Sequence, residues 1–170
     1  MMDFFRNLPP ALLISLIICA ALIIILLVRK VLDVFFYMDN RRRRRIRSEA
    51  MEEVDNMDGM EFEEWCADLL INNGFVNVKG TPASGDQGVD ILAQKDDIKY
   101  AFQCKCYTSD LGNTPVQEVF AGKCMYDCHV GVVMTNRHFT SGAKALAEKT
   151  GVLLWDRDKL ASMSRCVIRS

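Results

Sequence analysis

An aspartate closes the run Gly85-Asp86-Gln87-Gly88-Val89-Asp90, and thirteen residues later comes Gln103-Cys104-Lys105; these positions constrain the chemistry of the 170-residue chain more tightly than any others. Alternate residues of a strand face one side, so Gln103 and Lys105 emerge together from Tyr100 to Cys106, a run that is otherwise mostly apolar. Val89 to Gln94 is also strand-like, and Lys95-Asp96-Asp97 supplies a polar turn that folds the two runs into a hairpin. That hairpin brings Asp90 beside Gln103 and Lys105. A carboxylate and an amide oxygen can ligate a hard divalent ion, for which magnesium is the natural candidate and manganese the substitute. A lysine next to such an ion can position water or face the charge that develops on a phosphate under attack, which makes a phosphodiester the expected substrate. Spacing alone is equally compatible with an edge strand, with Gln103 and Lys105 solvated and Asp90 capping a turn after Gly88.

Together with other segments, these residues resemble the Mrr-type restriction endonuclease domain, a branch of the PD-(D/E)XK nuclease superfamily. The resemblance runs from about Met57 to the C-terminus. Met57-Asp58-Gly59-Met60-Glu61-Phe62-Glu63 is similar to the family's opening helix, Gly85 to Asp90 to its metal-ligand strand, and Gln103-Cys104-Lys105 to a QxK form of its catalytic strand. Val116-Gln117-Glu118-Val119, Gly131 to Asn136 and Phe139-Thr140 resemble the later helix and strand. The resemblance implies that Asp90 is a metal ligand, that Gln103 stands where an acidic ligand is more usual, and that Lys105 is the catalytic lysine. Glu63 is then a helix-borne accessory acid, preferred to Glu64 because it directly follows Phe62, and Gln117 positions substrate or water. An amide holds a divalent cation less tightly than a carboxylate, so Glu63, the main-chain carbonyl of Cys104 or the substrate phosphate should complete the coordination.

The elements that must position these groups are legible as a helix near 59–73, strands near 75–78, 88–94 and 98–106, and a helix opened by Thr114-Pro115. A strand at 130–135, a helix at 140–150 and a strand at 152–155 follow. This is an α/β class chain, and the resemblance implies a three-layer restriction-endonuclease-like fold with a mixed central sheet. Residues 57–170 form one nuclease-like domain, too short for two. That domain carries twelve Lys and Arg against fifteen Asp and Glu, a net charge of −3, and lacks the broad basic footprint of a tight DNA binder. A metal site, a basic tether or dimerisation can supply the missing positive charge.

After a short N-terminal segment, residues 1–10, the stretch Ala11 to Val28 is uncharged, with Pro9-Pro10 before it and Arg29-Lys30 after; it reads as a transmembrane helix. Arg6 is the one basic residue before it, whereas Arg29, Lys30, Arg41 to Arg45 and Arg47 follow, so the C-terminal domain is expected on the cytoplasmic side of an inner membrane, single-pass. Residues 29–56 read as a tether, basic and then acidic. Arg41 to Arg45 suit retention against anionic lipid better than contact with DNA phosphates. Seven cysteines, an odd count, agree with a reducing compartment. A zinc site from Cys104, Cys106, Cys124, Cys128 and His129 is the less favoured use of those thiols, because their spacing matches no usual zinc motif.

The expected function is a membrane-anchored, magnesium-dependent endodeoxyribonuclease of type IV restriction character acting on DNA. The alternative is a weak or inactive nuclease-like module that binds DNA or a protein at the membrane. RNA as substrate stays open, because the metal chemistry is indifferent to the sugar.

Overall fold

The computed structural model describes residues 10–82 and 88–164, with side chains 10–13, 15, 17 and 43–50 left out of account. Of the motif around Asp90, Gly85-Asp86-Gln87 lies outside the described residues, as does the N-terminal segment 1–9. The chain divides into two compact units, Met1–Ile46 and Arg47–Ser170.

Helix α1 (Pro10–Val54) begins in the first unit, where Ile14 and Leu22 to Val28 have exposed side chains. Among the described residues no helix is long and apolar enough to cross a membrane. The expected span over 11–28 is therefore not found there. Arg29, Lys30 and Asp33 follow the apolar run on the same helix.

The second unit begins at Arg47 rather than at the expected 57. Met51 and Val54, at the end of α1, are buried in its core, so the acidic stretch read as tether contributes to the fold. Helix α2 (Gly59–Asn72) opens with a capping box: Glu61 N–H donates to the Asp58 carboxylate and Asp58 N–H to the Glu61 carboxylate, each at 2.9 Å. It buries Phe62, Cys66, Leu69 and Leu70, a helical stripe, and stops at Asn73-Gly74, where Gly74 takes φ +83°. Strand β1 (Val76–Gly80) leads through the motif segment to the hairpin of β2 (Ile91–Lys95) and β3 (Ile98–Lys105). Asp96 and Asp97 both have positive φ, 52° and 62°, the requirement of a two-residue turn whose twist matches the strands. Helix α3 (Thr114–Met125) has Pro115 in its first turn, where a missing N–H costs nothing. Then come β4 (Val130–Thr135), α4 (Ser141–Thr150), β5 (Leu153–Trp155) and a short α5 (Arg157–Met163) that the sequence reading did not foresee.

The five strands lie in the order β1-β2-β3-β4-β5, antiparallel up to β3 and parallel from β3 to β5. Successive strand residues feed opposite faces. Phe102, Cys104, Val132 and Met134 join α2 and α5 residues such as Leu70 and Leu160 in one core, whereas Val133 joins Val116, Val119 and Ala143 of α3 and α4 in another. The result is the expected mixed-sheet α/β architecture with helices on both faces. Phe102 is further pinned by Phe75 and Trp155, with ring centroids 5.7 and 5.6 Å away, so the strand carrying Gln103 and Lys105 is held rigidly from below.

A polar knot joins the end of α1 to the strand ends. The Arg157 guanidinium donates to both Asp55 oxygens at 2.7 and 2.8 Å; buried Asn136 donates to Asp55 at 2.9 Å and accepts from Tyr107 N–H. Burial pushes the Asp55 carboxyl up, but hydrogen bonds from Arg157 and Asn136, with the charges of Arg157 and Arg137, outweigh it and leave the group below the ordinary 3.8. A carboxyl depressed in the folded state stabilises the fold above its unfolded pKa, and that contribution is lost as pH falls through the folded value. Urea midpoints should therefore drop as pH falls below about 4, and Asp55→Asn should flatten that dependence while lowering the neutral-pH midpoint. An unchanged acid limb in Asp55→Asn would remove Asp55 as its source.

Candidate active site

Strand β2 starts at Ile91, three residues later than expected, because the chain is irregular at Asp90. Asp90 N–H donates to the Phe102 carbonyl at 2.8 Å, yet Phe102's ladder partner is Ile91. Two residues thus oppose one, as in a β-bulge, a device that re-aims a side chain. The side chain is aimed at the neighbouring strand: Asp90 Oδ2 accepts from Cys104 N–H at 2.6 Å. In a strand, a residue's N–H and C=O point the same way across the sheet, so the Cys104 carbonyl faces the Asp90 side too. Thr81 closes the loop's other end, its N–H on the Asp90 carbonyl at 2.9 Å and its hydroxyl on that of Val89.

Gln103, flanking Cys104, projects toward the α3 side of the sheet and is 1% exposed. Its Nε2 donates to Glu118 Oε2 at 2.7 Å, whereas its Oε1 is buried with no hydrogen-bond partner among the described residues. A buried amide oxygen without a donor is costly, and such a group calls for a functional explanation. Lys105 is half-buried at the end of β3. With Glu118, Thr114 and Pro115 it lines a cleft of about 410 Å³ between the strand end and the start of α3.

At the end of β3, Asp90 is bound to the backbone N–H of Cys104, and Gln103 and Lys105 are the residues on either side of that cysteine. Glu63 is carried by α2, and its negative charge acts on the Cys104 thiol. Gln117 is exposed on α3, and its neighbour Glu118 is the residue that reaches Gln103. Glu118 escaped the sequence reading. The signal for it was chemical: a glutamine buried on a strand needs an acceptor for its NH₂ from the helix packed above.

The thiol of Cys104 stays neutral. A hydrogen bond with Cys66, burial, and the negative charges of Cys66, Asp90 and Glu63 together raise it well above the ordinary 9.0. The cysteines weighed as zinc ligands do not converge among the described residues: Cys106 donates to the Val54 and Met57 carbonyls, Cys124 to Phe120 and Cys128 to Tyr126, while His129 accepts from Lys99 N–H. His138, Asp156 and Asp158 do approach one another, but His138 and Asp158 are exposed and Asp156 already caps α5.

Residues 54–164 match the Mrr_cat family, described as restriction endonuclease. The chain belongs to that restriction endonuclease family. Two solved structures share its fold: MspJI restriction endonuclease in complex with a 27-mer oligonucleotide (20% identity, TM-score 0.54, 75% of this chain) and the DNA modification-dependent restriction endonuclease AspBHI (16%, 0.54, 72%). This chain spans 32% of the MspJI chain and 35% of the AspBHI chain. A comparison with curated proteins finds no match.

In this restriction endonuclease domain Gly88 fixes how closely α3 approaches the bulge. It takes φ +74°, and a Cβ there would lie 2.5 Å from Glu118 Cβ. Gly88→Ala should cost roughly 2–4 kcal/mol, combining the left-handed backbone penalty with overpacking, read as a lower urea midpoint. A midpoint within about 0.5 kcal/mol of wild type would mean that α3 yields freely there.

Proposed function

We propose that this domain is a metal-dependent endodeoxyribonuclease that hydrolyses DNA phosphodiester bonds, restriction of foreign or modified DNA being its role. The observation that carries the reading is the fully buried Gln103 Oε1, without a hydrogen-bond partner among the described residues, one residue along the strand from the backbone N–H that holds Asp90, with Lys105 at the adjoining cleft. An amide oxygen, a carboxylate and a strand carbonyl are hard oxygen donors that suit Mg²⁺, with Mn²⁺ as substitute. Asp90, Gln103 and the Cys104 carbonyl would hold the ion, Glu63 adding negative charge from the α2 face. Bound there, the ion acts as a Lewis acid and lowers the pKa of a coordinated water.

The protein's own groups do the rest. Lys105 brings a positive charge to the phosphate as negative charge develops on it. Asp90, tied to Cys104 N–H, pays little entropy to stay in place. With a domain charge of −3, DNA affinity should be modest and should fall with salt.

Attachment to the cytoplasmic face of a membrane through residues 11–28 is part of the same proposal. It rests on the uncharged run, the excess of basic residues after it, and the exposed Leu, Ile and Val side chains of α1. Fractionation with carbonate and detergent extraction tests it; recovery in the carbonate-soluble fraction would defeat it.

The nuclease reading is tested by incubating the full-length chain with methylated and unmethylated plasmid, and with RNA, in Mg²⁺, Mn²⁺ or chelator. Cutting of DNA that requires the ion is the expected result. Binding without cutting under every condition would favour the inactive, tethered binding module, and cutting of RNA alone would change the substrate.

A further inference from the structure

The two ends of a glutamine amide are nearly identical in shape and opposite in hydrogen-bonding character. Gln103 is sealed at 1% exposure, so its orientation decides what a cation meets: an oxygen that can ligate, or an NH₂ that repels. Glu118 is an acceptor in its ionised form. Its Oε2 takes the Gln103 Nε2–H bond at 2.7 Å, which sends the oxygen to the other end, where it has no partner among the described residues. A flipped amide would set oxygen against carboxylate and lose a charge-assisted bond, a preference of about 10- to 100-fold. Gly88 allows the helix carrying Glu118 to come this close, since a Cβ at position 88 would lie 2.5 Å from Glu118 Cβ. We infer that Glu118 is the positioning residue of the site: it turns the Gln103 amide so that the oxygen faces the cation.

The inference rests on the metal-dependent reading above and predicts a reversal of sign that no general structural role produces. With glutamine at 103, Glu118→Ala frees the amide and weakens cation binding. With Gln103→Glu, the carboxylate at 118 confronts a second carboxylate, and removing it relieves repulsion. Full-length wild type, Glu118→Ala, Glu118→Gln, Gln103→Glu and Gln103→Glu/Glu118→Ala are titrated with Mn²⁺ by electron paramagnetic resonance, and plasmid cleavage is followed against metal concentration. Melting by circular dichroism confirms that each variant is folded.

Glu118→Ala should weaken Mn²⁺ binding about tenfold or more and shift half-maximal cleavage to correspondingly higher metal, with the saturated rate much less affected. Glu118→Gln, whose amide oxygen still accepts, should stay within a few-fold of wild type. In the Gln103→Glu background, Glu118→Ala should tighten Mn²⁺ binding. Equal weakening in both backgrounds, or no change in Mn²⁺ affinity in Glu118→Ala, overturns the inference while leaving the nuclease reading intact. A wild type that neither binds Mn²⁺ nor cuts overturns both.

Discussion

Lys105→Ala should lower the single-turnover rate of plasmid cleavage by about 10³-fold, which corresponds to roughly 4 kcal/mol of transition-state stabilisation. Lys105 is the last residue of β3, held half-buried by ladder pairing with Thr135, and it opens onto the cleft that also receives the start of α3. A positive charge at this point contributes most where negative charge develops during the reaction. The aliphatic stem is not part of either hydrophobic core, so the alanine variant should melt within about 0.5 kcal/mol of wild type. Lys105→Arg should recover little of the rate, because a planar guanidinium cannot occupy the point position of an ammonium. If Lys105→Ala still cut at more than a tenth of the native rate, Lys105 would be a surface lysine of the cleft and the charge would have to come from elsewhere.

The sequence carried local order well and distant pairing poorly, for a physical reason. Alternation along Tyr100 to Cys106 separates the apolar from the polar face of β3, and the two aspartates at 96 and 97 tolerate the positive φ that the hairpin demands, so β2, β3 and the shared face of Gln103 and Lys105 follow from neighbours in the chain. Asp55 and Arg157 are 102 residues apart and meet directly, with Asn136 bonded to both. No local pattern announces that pairing, and the acidic charges around Asp55 look like solvated tether until Met51 and Val54 are seen to be buried beside them. The bulge at Asp90 was hidden for a similar reason. It adds a residue without disturbing the apolar alternation, so the strand read as starting at 88. Glu118 is one helical position from Gln117, and which of them meets Gln103 depends on the rotation of α3, set by Val116, Val119 and Gly131 on the far side of the contact.

Asp90 offers a sharper division between fold and chemistry than any other residue of the site, because two substitutions remove different parts of it. Asp90→Asn keeps an oxygen able to accept from Cys104 N–H, the bond that now measures 2.6 Å, and removes only the charge. Stability should change by less than about 1 kcal/mol, while Mn²⁺ affinity collapses and cleavage falls by about 10³-fold or more, since the neighbouring amide cannot hold a divalent ion alone. Asp90→Ala should abolish cleavage to the same extent, but it also strands the Cys104 N–H and should cost a further 1–3 kcal/mol or so in urea unfolding. The two variants should thus be alike in activity and unlike in stability. Equal destabilisation would mean that the Asp90 charge, not its hydrogen bond, holds β2 to β3; an Asp90→Asn protein cutting at near-native rate would remove Asp90 from the metal site and leave the buried Gln103 oxygen without the carboxylate that makes it a ligand.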